Sequence, residues 1–480
     1  MTGAPKLVVE RWEKPPLSCV FHNYPTRKRS EREKFVYSRI ETNLRTLMMR
    51  KILFTMLALA AVLPTLSQER FVGGDISLLP SYVENGAEYY DHQGQPIADP
   101  LTFFQQQGMN AMRVRLFVDP SQAPEQEKGE GVRQDLEYVK RLGKQIKDAG
   151  MKFMLDFHYS DSWADPGKQF TPRDWLVLDD GQLAERVHDY TRDVLREMKA
   201  CGAEPDFIQT GNEISYGMMW GERGAQEEDL RYCWPSSPET NWTRFTRLLT
   251  QATKACREEC PQAKIVLHVE RVSTSQQKDN QDYAALKNFY SQMTAAQIDY
   301  DIIGLSYYPY FHGTMEELEG AIQYLEQAYP EKDIMLVEAG YCAHDAISGT
   351  FDYTYKYPVS DQGQANFTRD LITMLKRHER VTGLFWWFME ANEHGLDWNT
   401  ERVTDAWYNA SLFDNHTGRA TSALSLLKDF LEKGSTDIAQ VETPQNQNKN
   451  NHWYTLDGKR LPSAPSAKGL YIHNGNKVMR

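Results

Sequence analysis

The chain has 480 residues, too many for one small domain and enough for a barrel of about 250–400 residues with terminal extensions. Its hydrophobic fraction of 41% and charged fraction of 25% are those of an ordinary globular protein. The net charge of -12 argues against a nucleic-acid surface, which needs a basic stripe, and leaves room for a neutral partner such as a sugar.

In chain order, residues 1–47 are basic and lack periodicity. They are expected to be an upstream extension from a misplaced start codon, or a disordered tail. Residues 48–67 then read as a secretory signal peptide: Met48-Met49-Arg50-Lys51 supplies a basic start, and Ile52 to Leu66 a short apolar run rich in Leu and Ala. That run is shorter than the roughly 20 residues a membrane-spanning helix needs. No Cys stands near the cleavage point, so a lipid anchor is not expected.

From Phe71 onward, β-branched apolar runs alternate with helical segments, which predicts a parallel sheet with crossover helices. The strands are expected at Phe71–Asp75, Ala111–Phe117, Lys152–His158, Phe207–Glu213, Lys264–Val269, Ile302–Tyr307, Ile334–Glu338 and Gly383–Phe388. Between them, Asp135–Ala149, Gln182–Lys199, Asn241–Glu259, Ala284–Met293, Met315–Ala328 and Gln364–His378 carry helical spacing, with Gly150 and Gly202 as stops. Thr421 to Leu431 is a closing helix. About eight strands is the number that closes a barrel, so the expected fold is α/β, a (β/α)8 TIM barrel over residues 69–434. Residues 435–451 are rich in Gln, Asn, Thr and Lys and read as a linker. Residues 452–480 alternate around Asp457-Gly458 and Asn474-Gly475, which predicts a small β-hairpin tail.

The 6 cysteines form no zinc spacing. A disulfide between Cys201 and Cys233, or one involving Cys342, is left open. No phosphate-binding glycine loop follows a strand, and Gly-x-Ser-x-Gly, His-Glu-x-x-His and calcium loops of EF-hand spacing are absent.

Each strand turns polar or aromatic at its C-terminal end, where a barrel builds its active site: Asp75, Arg113 and Arg115, His158, Asn212 and Glu213, His268, Tyr307, Glu338 and Trp386. Glycoside cleavage needs two carboxyl groups flanking the scissile bond, one to protonate the leaving oxygen and one to attack the anomeric carbon or activate water. Glu213 on the fourth strand and Glu338 on the seventh face each other across the mouth of such a barrel. The two carboxyls can then converge from opposite sides at the retaining separation of about 5 Å. Either Glu alone is equally well explained by a salt bridge or a helix cap; the pair is not. Asn212 suits a substrate hydroxyl. Tyr307, by its phenol, or Arg113 or Arg115, by charge, would hold Glu338 ionised. His158, Asp161 and Trp163 form a polar and aromatic cluster suited to a sugar subsite. Of Trp386 and Trp387, one would floor the cleft and the other face the helices.

These residues fall in stretches that together resemble glycoside hydrolase family 53: Gly74-Asp-Ile-Ser77, Arg113-Val-Arg-Leu-Phe117, Asp156-Phe-His-Tyr-Ser-Asp-Ser-Trp-Ala-Asp-Pro166, Gly211-Asn-Glu-Ile214, Ser306-Tyr-Tyr-Pro309, Val337-Glu-Ala-Gly-Tyr341 and Gly383-Leu-Phe-Trp-Trp387. The resemblance covers roughly Phe71 to Leu431. It implies retaining endo-hydrolysis of β-1,4-galactan, the galactose-rich side chains of pectin, with Glu213 of Gly-Asn-Glu as acid/base, Glu338 of Val-Glu-Ala-Gly-Tyr as nucleophile, and Asp75, His158, Asp161, Trp163, Asn212, Tyr307 and Trp386 lining the cleft. Some bacterial members carry calcium in the loop after the seventh strand. Here that loop, Cys342-Ala-His-Asp-Ala-Ile-Ser-Gly349, lacks the run of Asp, His and Asn, which counts against calcium; no cofactor is expected to be required. The tail from Trp453 resembles C-terminal segments of secreted Bacteroidetes enzymes. With the signal peptide it implies export to the periplasm or surface of a Gram-negative bacterium, as a monomer acting on β-1,4-galactan, with no nucleic-acid partner and no integral membrane span. Another retaining glycanase of the same clan (mannanase, xylanase or glucanase) and a non-catalytic glycan-binding barrel are the alternative readings.

Overall fold

The computed structural model describes residues 68–397, 399–404 and 410–432, and in the tail 453–454, 460–461, 465, 470–473 and 476–479. The expected extension, signal peptide, linker and both hairpin turn pairs lie outside these residues.

Eight parallel strands close into a barrel in sequence order: β1 (Phe71–Asp75), β2 (Ala111–Leu116), β3 (Lys152–Phe157), β4 (Phe207–Thr210), β5 (Lys264–Val269), β6 (Ile302–Tyr307), β7 (Asp333–Ala339) and β8 (Val381–Trp386). β1 pairs with both β2 and β8, so no edge remains. Helices pack outside. Leu136–Asp148 starts on the Asp135 side chain, which accepts from the Tyr138 N–H at 2.8 Å. Asp180–Ala200 and Met315–Ala328 each begin in a full capping box. Gly150 and Gly202 have φ of 76° and 82°, the left-handed stop expected of them. Two short helices between β1 and β2, Leu79–Asn85 and Pro100–Gln106, have no counterpart in the expected elements. The closing segment is a short helix, Ser422–Leu426, followed by a 3-10 turn.

Strand alternation sets what points inward. Phe71, Ala111, Met154, Phe207, Val266, Ile302, Met335, Val337 and Phe385 fill the barrel as one apolar layer. One step or more further along, the inward positions turn polar: Asp75, Arg113, Asp156, Gln209, His268, Ser306. Gly73 leaves space at the β1–β2 seam, where a Cβ would stand 1.7 Å from the Ala111 carbonyl oxygen. On β7 the alternation breaks. Leu305 pairs with Leu336, but Ser306 pairs with Glu338, so β7 carries an extra residue at that point. This bulge lets Val337 join the interior layer while its neighbour Glu338 also reaches the cleft.

In the tail, β9 (Trp453–Tyr454), β10 (Arg460–Leu461), β11 (Leu470–His473) and β12 (Asn476–Met479) form an antiparallel sheet in the order β10-β9-β11-β12. It is one strand pairing richer than two separate hairpins, because β9 also pairs with β11. Among the described residues the disulfides left open do not form: Cys201, Cys233 and Cys342 are free thiols, as are Cys256 and Cys260.

Candidate active site

A cleft of about 460 Å³ opens at the C-terminal end of the strands. Glu213 and Glu338 both line it, with Arg113, Arg115, His158, Trp163, Asn212, Tyr308 and Trp387 among others.

β4 ends at Thr210, earlier than expected, because Gly211 and Glu213 take left-handed backbone, with φ of 99° and 47°. For Glu213 that conformation is strained, by about 1–2 kcal/mol. Two bonds hold it. The Glu213 N–H faces His268 Nδ1 at 3.3 Å, and the Ile214 N–H donates to the His268 carbonyl at 2.9 Å. The Glu213 side chain accepts a hydrogen bond from the Ser306 hydroxyl at 2.6 Å.

Glu338 sits in different company. Its Oε1 pairs with Arg113 Nη2 at 2.9 Å, and its Oε2 accepts from the Tyr308 hydroxyl at 2.7 Å. Arg113 is the hub of the floor. It also pairs with Asp75 at 3.0 Å and Asp156 at 2.8 Å, and donates to Asn212 Oδ1 at 2.8 Å and Gln209 at 3.2 Å. With Arg113 so engaged, Asn212 is held in one amide orientation, its Nδ2 donating to the Ala164 carbonyl at 2.8 Å.

The electrostatics separate the two carboxyls. Burial pushes Glu338 up to about 7, while the Arg113 charge and the Tyr308 hydroxyl pull it down. Burial raises Glu213 well above the ordinary carboxylate range, and the Glu338 and Glu270 charges add to that; the Ser306 hydroxyl is its main counterweight. Glu338 therefore gives up its proton first. Two carboxyls whose environments differ in this sense suit one ionised and one protonated role.

His158 lines the cleft in a fixed tautomer. Its Nδ1 accepts the Ala164 N–H at 3.0 Å, so its Nε2 proton faces Asp156 at 3.1 Å. Trp163 also lines the cleft and receives the Arg115 guanidinium on its ring face at 4.4 Å. Arg115 is tied to Asp75 at 3.0 Å rather than to Glu338.

Five expected site residues do not line the cleft. Tyr307 points out between helices, its hydroxyl donating to the Gly313 carbonyl at 3.0 Å, and Tyr308 takes the role expected of it. Trp386 is turned outward, its Nε1 on the Ala410 carbonyl at 2.7 Å, and Trp387 is the tryptophan of the cleft. Both corrections have one cause: residues 302, 304, 306 and 308 share the inward face, as do 385 and 387, so Tyr307 and Trp386 fall on the outward one. Asp161 staples loops, accepting from the Asp119 and Arg173 N–H groups at 3.1 and 2.8 Å. Asp75 and His268 lie fully buried in the floor beneath the cleft, behind Arg113 and Ser306. Sequence reasoning missed Ser306, Tyr308, Gln209, Glu270 and the positioning part of Asp156; strict alternation along β3 to β6 marks the first three and Asp156. Among the described residues, no group of three or more His, Cys, Asp or Glu is placed to hold a metal ion.

Residues 71–427 match the profile of Glycosyl hydrolase family 53. The arabinogalactan endo-β-1,4-galactanase of Cellvibrio japonicus is 31% identical over 358 residues, covering 72% of this chain and 85% of that protein. The endo-β-1,4-galactanase of Bacillus subtilis is 28% identical over 324 residues, covering 66% and 68%. Among solved structures, the GH53 catalytic domain of Ignisphaera aggregans superposes with a TM-score of 0.64 at 31% identity, over 77% of this chain and 98% of that one.

Proposed function

The chain belongs to glycosyl hydrolase family 53, and from that membership we propose that it cleaves β-1,4-galactosidic linkages in galactan with retention, using Glu213 as acid/base and Glu338 as nucleophile. The observation that carries the assignment of roles is the contrast in partners. Glu338 has a cation and a phenol on its two oxygens, which favours the ionised nucleophile. Glu213 has burial, three acidic neighbours in Glu338, Glu270 and Asp165, and a single neutral donor, which favours the protonated acid. In the first step the Glu213 proton passes to the leaving oxygen as the Glu338 carboxylate bonds to the anomeric carbon. In the second, Glu213 takes a proton from water as that water displaces Glu338. Two carboxyl groups complete this chemistry, so no cofactor or calcium is required of the site. Trp163 and Trp387 supply flat apolar faces for sugar rings, and Asn212, with one of its two amide hydrogens on the Ala164 carbonyl, supplies an oriented donor.

Endo action on pectin side chains, by an exported monomer, is the biological setting we infer. The sequence of residues 48–67 supports export, and no helix among the described residues is long and apolar enough to cross a membrane.

Glu213→Gln and Glu338→Gln should each lose roughly three or more orders of magnitude in kcat/KM, several kcal/mol of barrier, on β-1,4-galactan in chelator-treated buffer. Wild-type rates in either variant would overturn the roles. Preference for mannan, xylan or glucan across a panel of purified polysaccharides would overturn the substrate.

A further inference from the structure

Building on the acid/base role of Glu213, we propose that Ser306, set by His268, is a positioning residue that keeps the transferable proton of Glu213 on Oε2. The chain of contacts closes on Glu213 itself. Its backbone N–H lies 3.3 Å from His268 Nδ1, His268 Nε2 lies 2.8 Å from Ser306 Oγ, and Ser306 Oγ lies 2.6 Å from Glu213 Oε1.

The direction of these bonds follows from counting donors. The Glu213 N–H, whose hydrogen the backbone fixes, points at His268 Nδ1, whereas Gln209 Nε2, 3.1 Å from that nitrogen, gives its two hydrogens to Asp156 Oδ1 at 2.6 Å and Asn212 Oδ1 at 3.1 Å. Asn212 Oδ1 stands 2.9 Å away as well, but its two lone pairs already receive Arg113 Nη2 at 2.8 Å and Gln209 Nε2 at 3.1 Å. Nδ1 is therefore an acceptor, and the one proton of a neutral ring resides on Nε2. The ring is neutral because it is fully buried and faces the Arg113 guanidinium; both act against a second proton, and the nearby Asp156 does not offset them. His268 Nε2–H then donates to Ser306 Oγ. The serine proton is left with one acceptor, Glu213 Oε1.

A carboxyl that already accepts a hydrogen bond on one oxygen carries its own proton on the other. Oε2 is thus the oxygen that delivers a proton to the leaving group and later receives one from water, while Ser306 keeps its proton throughout. The other charges facing Glu213 are Glu338 from β7, Glu270 and Arg271 beyond β5, and Asp165 from the loop after β3. None of them is a hydrogen-bond donor to Oε1. One buried histidine thus fixes both the backbone around the acid/base, through its ring Nδ1 and its main-chain carbonyl, and the proton of the Glu213 side chain, through Ser306.

The test reads the Glu213 titration directly, in full-length protein carrying carboxyl-¹³C glutamate, with Glu213→Gln used to assign the resonance. Ser306→Ala should raise the Glu213 titration by about one pH unit, because a donor to the carboxylate is lost. The alkaline limb of the kcat/KM profile on galactan should move up with it, and Ser306→Thr should restore both. His268→Leu, which keeps the Ser306 hydroxyl but removes the donor that orients it, should move the titration in the same direction by less. A downward shift in Ser306→Ala means that the serine accepts from Glu213, and overturns the assigned direction. An unmoved titration in a folded Ser306→Ala protein reduces the contact to packing and overturns the positioning role. A Glu213→Gln enzyme with undiminished galactan cleavage overturns the acid/base role instead, whatever the titration shows.

Discussion

Tyr307 and Tyr308 are adjacent, equally buried and opposite in consequence. The Tyr308 hydroxyl stabilises the Glu338 carboxylate. Removing it in Tyr308→Phe should raise Glu338 above its present position of about 7. Activity requires Glu338 ionised, so the acid limb of kcat/KM should move to higher pH, by about one unit, with a rate loss of about tenfold to a hundredfold at neutral pH. Tyr307→Phe loses only the bond to the Gly313 carbonyl. It should lower stability by about 1 kcal/mol in urea melts and leave the pH–rate profile where it was. If the two variants exchange these phenotypes, the assignment of the inward tyrosine is wrong. The wild-type profile itself should rise as Glu338 loses its proton and fall at higher pH as Glu213 loses its own.

The helix Met315–Ala328 shows how an element outside the barrel shapes the cleft. Glu317, in its capping box, accepts from the Thr314 N–H at 3.1 Å and also from the Thr274 and Ser275 N–H groups at 3.0 and 2.8 Å. The latter two belong to the loop after β5, whose Gln276 and Gln277 wall the cleft. Burial works to raise Glu317, but these donors outweigh it and hold the carboxyl below its ordinary value. A carboxyl lowered on folding stabilises above its unfolded pKa, and that stabilisation is lost as pH falls through the folded value. Glu317→Gln should therefore cost about 1–2 kcal/mol near pH 7, and the gap to wild type should close below about pH 4 in denaturant melts. A gap that persists in acid would show that the carboxylate charge is irrelevant there. At this scale much was legible in the sequence: β1, β5 and β6 have the bounds their apolar runs predict, and the helix Met315–Ala328 is placed to the residue. The short helices Leu79–Asn85 and Pro100–Gln106 were not, because fewer than two full turns leave little periodicity to read. The inward positions of Ser306, Tyr308 and Trp387 follow from period two once the strand is extended past its last apolar residue. The bulge that turns Glu338 inward beside Val337 does not, since nothing in those two side chains announces an extra residue; it arises from how β6 and β7 meet. Asp161 likewise looked like a subsite residue, and only the folding together of two distant loops gives it Asp119 and Arg173.

At the scale of the molecule, the tail strands β9 to β12 pair with one another, and among the described residues no ladder joins them to the barrel. A chain ending at residue 432 should cleave galactan within about twofold of the full-length rate; a larger loss would give the tail a part in the catalytic unit. The barrel itself has no such dispensable half. Arg113 comes from β2, and its acceptors come from β1, β3, the end of β4 and, some 200 residues later along the chain, Glu338 on β7. A fragment holding only the first four strands would hold a guanidinium short of one anion, and the complementary fragment would hold Glu338 without the guanidinium that pairs with it. The same contact that keeps the nucleophile ionised therefore makes the two halves of the chain depend on each other to fold. Unfolding followed by intrinsic fluorescence and by loss of galactan cleavage should give a single shared midpoint, and separately expressed halves should regain structure only when mixed.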